Sequence, residues 1–113
     1  MITFEQLANA NLHRQQEWPG NEKADVAFRA LEVVGEAGEV AEAVKKFLRA
    51  ERGIYGSVAS VEDIASELAD VVIAADLLAT QLHVDLGHHV AMKFNATSMK
   101  YGLKTRITKD RGA

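Results

Sequence analysis

The chain has 113 residues, 48% of them apolar and 6% aromatic, which fits one globular domain with one hydrophobic core. Because it contains no cysteine, it can form neither disulfides nor thiolate metal sites. Its first residues lack the charged start and apolar run of a signal peptide, and its longest nearly uncharged run is interrupted by Asp76, so we expect a cytoplasmic protein that does not enter membranes.

Apolar residues at helical spacing predict two helices in the first half of the chain. Thr3-Phe4-Glu5-Gln6 has the form of a capping box, which predicts a first helix over about residues 3–17. The turn Trp18-Pro19-Gly20-Asn21 ends this helix. Apolar residues then recur every three or four positions over about 23–52, which predicts a long second helix closed by Gly53.

The second half predicts two more helices. Ser60 is a suitable N-cap for a third helix that runs to about His83. A shorter fourth helix is predicted to start at Asp85 or Gly87 and to run to about Met99. The sequence therefore indicates an all-α fold.

The third predicted helix contains the segment LADVVIAADLLA, residues 68–79, which is apolar on nearly every side. Such a helix must be covered on several sides. Three companion helices from a short chain cover only part of it, so we expect a second subunit to complete the cover through a two-fold helical interface.

Two acidic pairs with the same spacing stand out, Glu36 with Glu39 on the second helix and Glu67 with Asp70 on the third. Residues three or four apart share one face of a helix, where like charges repel. Two such pairs on packed helices form a cage of hard oxygen ligands for Mg²⁺ or Mn²⁺. The pattern predicts a metal-dependent enzyme that acts on phosphates.

Each acidic pair taken alone has a simpler explanation, because acids on a long helix usually face water. Two observations favour the metal site: Asp70 lies within an apolar run, and Gly35 and Gly38 flank Glu36, which indicates close approach by another backbone or a ligand. Glu32 and Asp63, one turn before each pair, are weaker candidates. Glu32 is open to a solvated role, and Asp63 to a role at the helix N-terminus.

Several other residues leave alternatives open. Glu42 is placed to support the metal, to activate water or to pair with a surface lysine. Lys93 and Asn95 on the fourth helix either meet phosphate oxygens or face solvent, and Trp18 is either a core plug or a surface for stacking a base.

The C-terminal residues 100–113 hold five basic side chains against one acid, Asp110. We expect residues 102–113, including Lys109 and Arg111, to form a basic and loosely held tail. Nucleic-acid binding would need a broader basic face with stacking aromatics, so we expect none.

Three histidines, His83, His88 and His89, raise the alternative of a di-iron bundle, which uses Glu-x-x-His pairs. The sequence argues against it, because the acid three residues before a histidine is Asp85, at a predicted helix start.

Three segments together resemble a known family: VVGEAGEVAEAVKK, SELADVVIAADLL and VDLGHHVAMKFNATSMKYG, with Arg14 and Trp18 ahead of them. They are similar to the all-α nucleoside triphosphate pyrophosphohydrolases, the MazG-like and dimeric dUTPase superfamily, over about residues 14–101. The resemblance implies a four-helix MazG-like bundle, assembled as a dimer or a dimer of dimers, with residues 1–101 forming the domain.

The family reaction is hydrolysis of a nucleoside triphosphate to the monophosphate and pyrophosphate, which implies a role in nucleotide-pool house-cleaning. Carried over, the resemblance makes Glu36, Glu39, Glu67 and Asp70 the Mg²⁺ ligands. A bound water would lose its proton to Glu36 or Glu39. The competing hypothesis is a non-catalytic helical oligomerisation module whose acids are only solvated.

For the substrate, the resemblance implies contacts from Lys93 and Asn95, with Lys100 and Tyr101 beside them. An extra Arg or Asn usually follows the lysine in related proteins, whereas this chain has Thr97-Ser98-Met99. Trp18, with His13 or Phe94, is expected to line the base pocket.

Overall fold

The computed structural model describes residues 1–108, and over this range the chain is helical with no strand. The predicted all-α fold class is confirmed. Four α-helices follow one another, with one short 3-10 turn at Asn21–Lys23: α1 Phe4–Glu17, α2 Val26–Glu51, α3 Val61–Gln81 and α4 Leu86–Lys100. None of these helices is long and apolar enough to cross a membrane.

Each α-helix begins with a side-chain cap, and the caps of α1 and α3 were readable from the sequence. Thr3 and Ser60 both form capping boxes, as their spacing predicts. The carboxylates of Asp25 and Asp85 cap α2 and α4 by accepting hydrogen bonds from backbone N–H groups three residues on.

Two helix ends differ from the sequence prediction. α2 begins at Val26 rather than near Lys23, because Gly20, with a φ of 82°, turns the chain into a 3-10 turn before the Asp25 cap. α3 ends at Gln81 because His83 adopts a left-handed φ of 57°, which no helix can continue through.

The helices α2 and α3 share the largest contact, α1 packs on α3, and α4 lies against α1. The last contact depends on Gly87, where an added Cβ would come within 3.0 Å of the Phe4 Cβ. Gly35 and Gly38 behave differently, because a Cβ on either would meet open space. The expected close approach at these two glycines is therefore absent from residues 1–108 of this chain.

The core of a single chain is small. Among the described residues, the buried apolar side chains are only Ala43, Ala74 and Ala79, and no large side chain is fully buried. The chain exposes 8,831 Å², about 2,700 Å² more than the roughly 6,100 Å² expected of a folded monomer of 12.3 kDa. Several large apolar side chains on α2, α3 and α4 are exposed: Leu31, Val34, Leu68, Val72, Met92 and Met99.

A buried polar pair joins α1 to α3. The Asn11 side-chain amide donates a hydrogen bond of 2.8 Å to the Asp76 carboxylate, and both residues are buried. Asp76, the polar residue within the apolar run of α3, therefore has a hydrogen-bond donor on the neighbouring helix α1.

We expect Asn11→Leu to lower the free energy of unfolding by about 2 kcal/mol at neutral pH, because it leaves the buried Asp76 carboxylate without its amide donor. Chemical denaturation measures this loss. Asn9→Leu, at an exposed position of the same helix, is the control and should change stability little. Adding Asp76→Leu to Asn11→Leu should recover part of the loss, and an unchanged Asn11→Leu stability would contradict the assignment.

Candidate functional site

Three of the predicted acidic residues converge between α2 and α3. One carboxylate oxygen each from Glu36, Glu67 and Asp70 lies within 4.8 Å of the other two. Glu67 and Asp70 are three residues apart on α3, so both side chains project from the same face toward α2. Glu36 and Glu67 are half-buried and Asp70 is exposed. This donor set of hard oxygens fits a divalent cation of the Mg²⁺ or Mn²⁺ class.

The electrostatics of the cluster are unbalanced. Partial desolvation, followed by the charges of Asp70 and Glu67, raises the pKa of Glu36 above its ordinary value. Among residues 1–108 the salt-bridged acids are Glu32 and Glu42, and no salt bridge involves an acid of the cluster. The repulsion among the three carboxylates therefore has no compensating side-chain cation in the described part of the chain.

This raised pKa predicts a stability change with a definite sign. Ionised Glu36 is disfavoured in the folded chain, so stability falls as pH rises through its titration, and the penalty is absent well below its ordinary value of 4.5. We expect Glu36→Gln to raise the melting temperature of the metal-free protein at pH 7 but not at acid pH. Thermal unfolding by circular dichroism measures both.

With Mg²⁺ the order of the two melting temperatures should reverse, so that the wild type melts above Glu36→Gln. A cation that binds only the folded state stabilises it, and the variant has lost one oxygen charge of the site. We expect Mg²⁺ to raise the melting temperature of the wild type more than that of Glu36→Gln. A variant less stable than wild type at pH 7 without metal would contradict the assignment.

The other acids take separate places. Glu39 is exposed and lies outside the group of three, although its charge contributes to the raised pKa of Glu36. Its place as a fourth ligand or base stays a prediction. Glu32 is paired with Arg29 at 2.7 Å rather than solvated, and Glu42 pairs with Lys45 at 3.3 Å. Hydrogen bonds from the backbone N–H and hydroxyl of Ser60 lower the pKa of Asp63, which serves as a helix cap.

A cavity of about 470 Å³ adjoins the cluster. The C-terminal part of α1, the turn after it, and facing residues of α2 and α3 form its walls, with Glu36 and Asp70 among the lining residues. Trp18 is 65% exposed and lines the cavity with Phe28, so it is not a core plug. The volume lies in the range of small-molecule sites, and the two aromatic side chains offer surfaces for a planar ring.

A polar network that the sequence analysis missed lines the same cavity. Arg29, only 6% exposed, donates from Nη1 to Glu32 and from Nη2 to the side-chain oxygen of Asn21. Asn21 in turn donates from Nδ2 to the side-chain oxygen of Gln15 at 3.3 Å. The residues of this network come from α1, the 3-10 turn and α2. Only Arg29 and Glu32, three residues apart on one helix, have a spacing that the sequence could have indicated.

The predicted contacts on the fourth helix are not brought to this cavity within one chain. Lys93, Asn95, Lys100 and Tyr101 lie on or just after α4 and do not line it. His13 and Phe94 do not line it either. Whether these side chains contact substrate stays a prediction.

Asn95 is engaged with the segment that follows α4. Its amide donates to the Ile107 carbonyl at 2.9 Å and accepts from the Ile107 N–H at 2.7 Å. Part of the predicted tail is thus connected to α4. The tail residues 109–113, among them Lys109, Asp110 and Arg111, lie outside the described residues.

The fold and site together define an all-α protein with a carboxylate cluster beside a cavity of small-molecule size. The model of the MazG nucleotide pyrophosphohydrolase domain matches residues 28–104, which is more than half of the chain. The chain belongs to this family, the all-α nucleoside triphosphate pyrophosphohydrolases, as the acidic motifs predicted. No curated protein and no solved structure matches the chain significantly.

Proposed function

We propose that this protein is a divalent-metal-dependent pyrophosphohydrolase that converts a ribo- or deoxyribonucleoside triphosphate to the monophosphate and pyrophosphate. Its family acts on nucleotides. The observation that carries the proposal is the convergence of Glu36, Glu67 and Asp70 within 4.8 Å, with Glu36 and Asp70 also lining the cavity of about 470 Å³. Control of the nucleotide pool in the cytoplasm is the cellular role we assign to this activity.

In this proposal Glu36, Glu67 and Asp70 hold Mg²⁺, or Mn²⁺ in its place, with Glu39 as the fourth carboxylate. The bound cation supplies positive charge to the triphosphate and lowers the pKa of water. The carboxylates also exclude a triphosphate that arrives without cations, since like charges would meet at the edge of the cavity.

The proton of the attacking water goes to a carboxylate on α2, either Glu36 or Glu39. The raised pKa of Glu36 describes the metal-free chain, and a cation held by Glu36 would lower it, so this shift does not decide between the two carboxylates. The water oxygen forms a bond to the α-phosphorus, the bond to the bridging oxygen breaks, and pyrophosphate leaves.

The nucleoside is assigned to the cavity, with its base over Trp18. Arg14 and Lys23 also line the cavity and add positive charge to its wall. The cavity therefore offers an aromatic surface for the base and cations for the charged part of the substrate.

We further propose that the active form is a homodimer or homotetramer. The excess exposed surface and the open space at Gly35 and Gly38 support this, because both leave room for helices of a second copy. In such an assembly, Lys93, Asn95, Lys100 and Tyr101 would contact substrate bound to a neighbouring copy.

The direct test is to incubate the protein with each ribo- and deoxyribonucleoside triphosphate and Mg²⁺ and to quantify products by chromatography. We expect monophosphate and pyrophosphate in equal amounts, and none after chelation of the metal. Release of inorganic phosphate with diphosphate would assign a different cleavage. No product from any nucleotide would favour the oligomerisation module, which the exposed apolar helices also fit.

A further inference from the structure

We infer that Gln15 reads the nucleobase and does so as a hydrogen-bond donor, so that the enzyme prefers bases with a carbonyl oxygen over the matching amino bases. This inference rests on the proposed function, because it assigns the base to the cavity beside the acidic cluster. The family match begins at residue 28, so α1 and the 3-10 turn lie before the matched region.

The orientation of the Gln15 amide follows from a chain of fixed donors and acceptors. A guanidinium can only donate, so Arg29 Nη2 requires the oxygen of Asn21 to face it. The Asn21 amide nitrogen therefore faces Gln15 and requires the Gln15 oxygen in return. Glu32 holds Arg29 at 2.7 Å, so the series of hydrogen bonds begins at an ion pair whose guanidinium is buried and whose carboxylate is partly exposed.

This orientation leaves the amide nitrogen of Gln15 without a partner. Nε2 is buried and has no hydrogen-bond partner among residues 1–108, and the same holds for Arg29 Nε. A buried donor without an acceptor costs about 1–3 kcal/mol, so each such group needs an explanation. Both residues line the cavity, where a ligand acceptor would satisfy them.

Gln15 is the member of the network that is free to turn toward a ligand. It is half-buried and is held by one hydrogen bond of 3.3 Å, whereas Arg29 is 94% buried and held at both ends. We expect a ligand to turn the Gln15 side chain so that Nε2 faces the cavity that Gln15 lines, with the amide oxygen still accepting from Asn21.

The position of Gln15 assigns its target to the base rather than the phosphates. Gln15 lies in the last turn of α1, Trp18 is the extended residue that caps this helix, and both line the cavity. We expect a ring stacked on Trp18 to present its edge to Gln15. A carbonyl oxygen at that edge accepts a hydrogen bond from Gln15 Nε2. An exocyclic amine at the same place is itself a donor, so the two donors face each other without an acceptor.

The first test measures binding without catalysis, through the fluorescence of Trp18, the single tryptophan of the chain. The probes are two pairs of deoxynucleoside monophosphates that differ by a carbonyl in place of an amine: hypoxanthine against adenine, and uracil against cytosine. One of the two pairs will bind more tightly than the other. Within that pair, we expect the nucleotide with the carbonyl to bind at least about 10-fold more tightly than the nucleotide with the amine. Equal binding or preference for the amine would overturn the inference.

Two variants test the orientation itself. Gln15→Glu replaces the donor by an acceptor and should reverse the preference toward the amino base. Asn21→Asp still accepts from Arg29 but cannot donate to Gln15, so the Gln15 amide is no longer oriented. The ratio of the affinities for the carbonyl and amino bases should fall toward one, while the carbonyl base still binds. Gln16→Glu is the matched control, because Gln16 is exposed and does not line the cavity.

The ratio of kcat/KM for the corresponding triphosphates is the second readout. An active enzyme without base preference, or with the preference unchanged in Gln15→Glu, overturns the role of Gln15 and leaves the proposed function intact. A protein that binds the carbonyl bases selectively but releases no pyrophosphate overturns the proposed reaction and leaves the base contact intact.

Discussion

Glu67→Gln and Asp70→Asn variants are expected to fold normally and to lose at least about 100-fold in kcat/KM for pyrophosphate release. Each change removes the charge of one of the three carboxylates that lie within 4.8 Å. The remaining acids should bind Mg²⁺ more weakly, so saturation should need a higher metal concentration. Activity against Mg²⁺ concentration, with metal binding followed by calorimetry, measures both effects.

Glu62→Gln is the control for these variants, because Glu62 is an exposed acid in the first turn of α3 and is not part of the cluster. It should keep wild-type activity. Full activity in folded Glu67→Gln and Asp70→Asn would show that the carboxylate cluster is not the metal centre, even if the protein hydrolyses nucleotides.

Glu39→Gln separates the two roles open to Glu39. A ligand should lower metal affinity and activity together, whereas a base should lower kcat and leave metal affinity unchanged. The distinction matters because Glu39 lies outside the group of three while its charge still reaches Glu36.

Local interactions explain which parts of the fold were predictable. The capping boxes at Thr3 and Ser60 join residues three positions apart, so their signal is contained in a few letters of sequence. The start of α2 was placed too early because no Pro or Gly separates Lys23 from Val26, whereas Gly20 and the Asp25 cap decide where the helix begins. Periodicity describes a helix interior better than its ends.

The acidic cluster was predictable because each pair has helical spacing and α2 was expected to pack on α3. The spacing of Glu67 and Asp70 places both on one face, and the packing of α2 on α3 then brings Glu36 to them. The network of Gln15, Asn21 and Arg29 joins three elements, so no spacing rule could have found it. Gly35 and Gly38 indicated a close neighbour that residues 1–108 of a single chain do not supply.

A charge placed on the exposed apolar side of α2 is expected to dissociate the protein into less stable monomers. Leu31 and Val34 are 70% and 69% exposed in the single chain. Burying such side chains stabilises an interface by about 1.5–3 kcal/mol each, and a charge in their place also has to be desolvated. We expect Val34→Glu to weaken self-association by at least about 10-fold and to lower the melting temperature.

Light scattering after size exclusion measures the change in mass. The wild type should have twice or four times the chain mass of 12.3 kDa at micromolar concentration, with a melting temperature that rises with protein concentration. Val58→Glu, at an equally accessible site in the loop between α2 and α3, is the control and should leave the mass unchanged. A monomeric wild type would contradict the proposed assembly.

The same assembly predicts that two inactive variants restore activity when mixed. Asp70→Asn damages the carboxylate cluster, while Lys93→Ala removes a proposed substrate contact on α4, which does not line the cavity of its own chain. If Lys93 acts on the neighbouring copy, a mixed dimer has one site with both defects and one site with neither. Subunit exchange should then recover about a quarter of wild-type activity per chain, because half of the dimers are mixed and each has one intact site of two. Recovery should fail when Val34→Glu is added to both chains, and no recovery between exchanging subunits would place Lys93 in its own chain's site or outside the reaction.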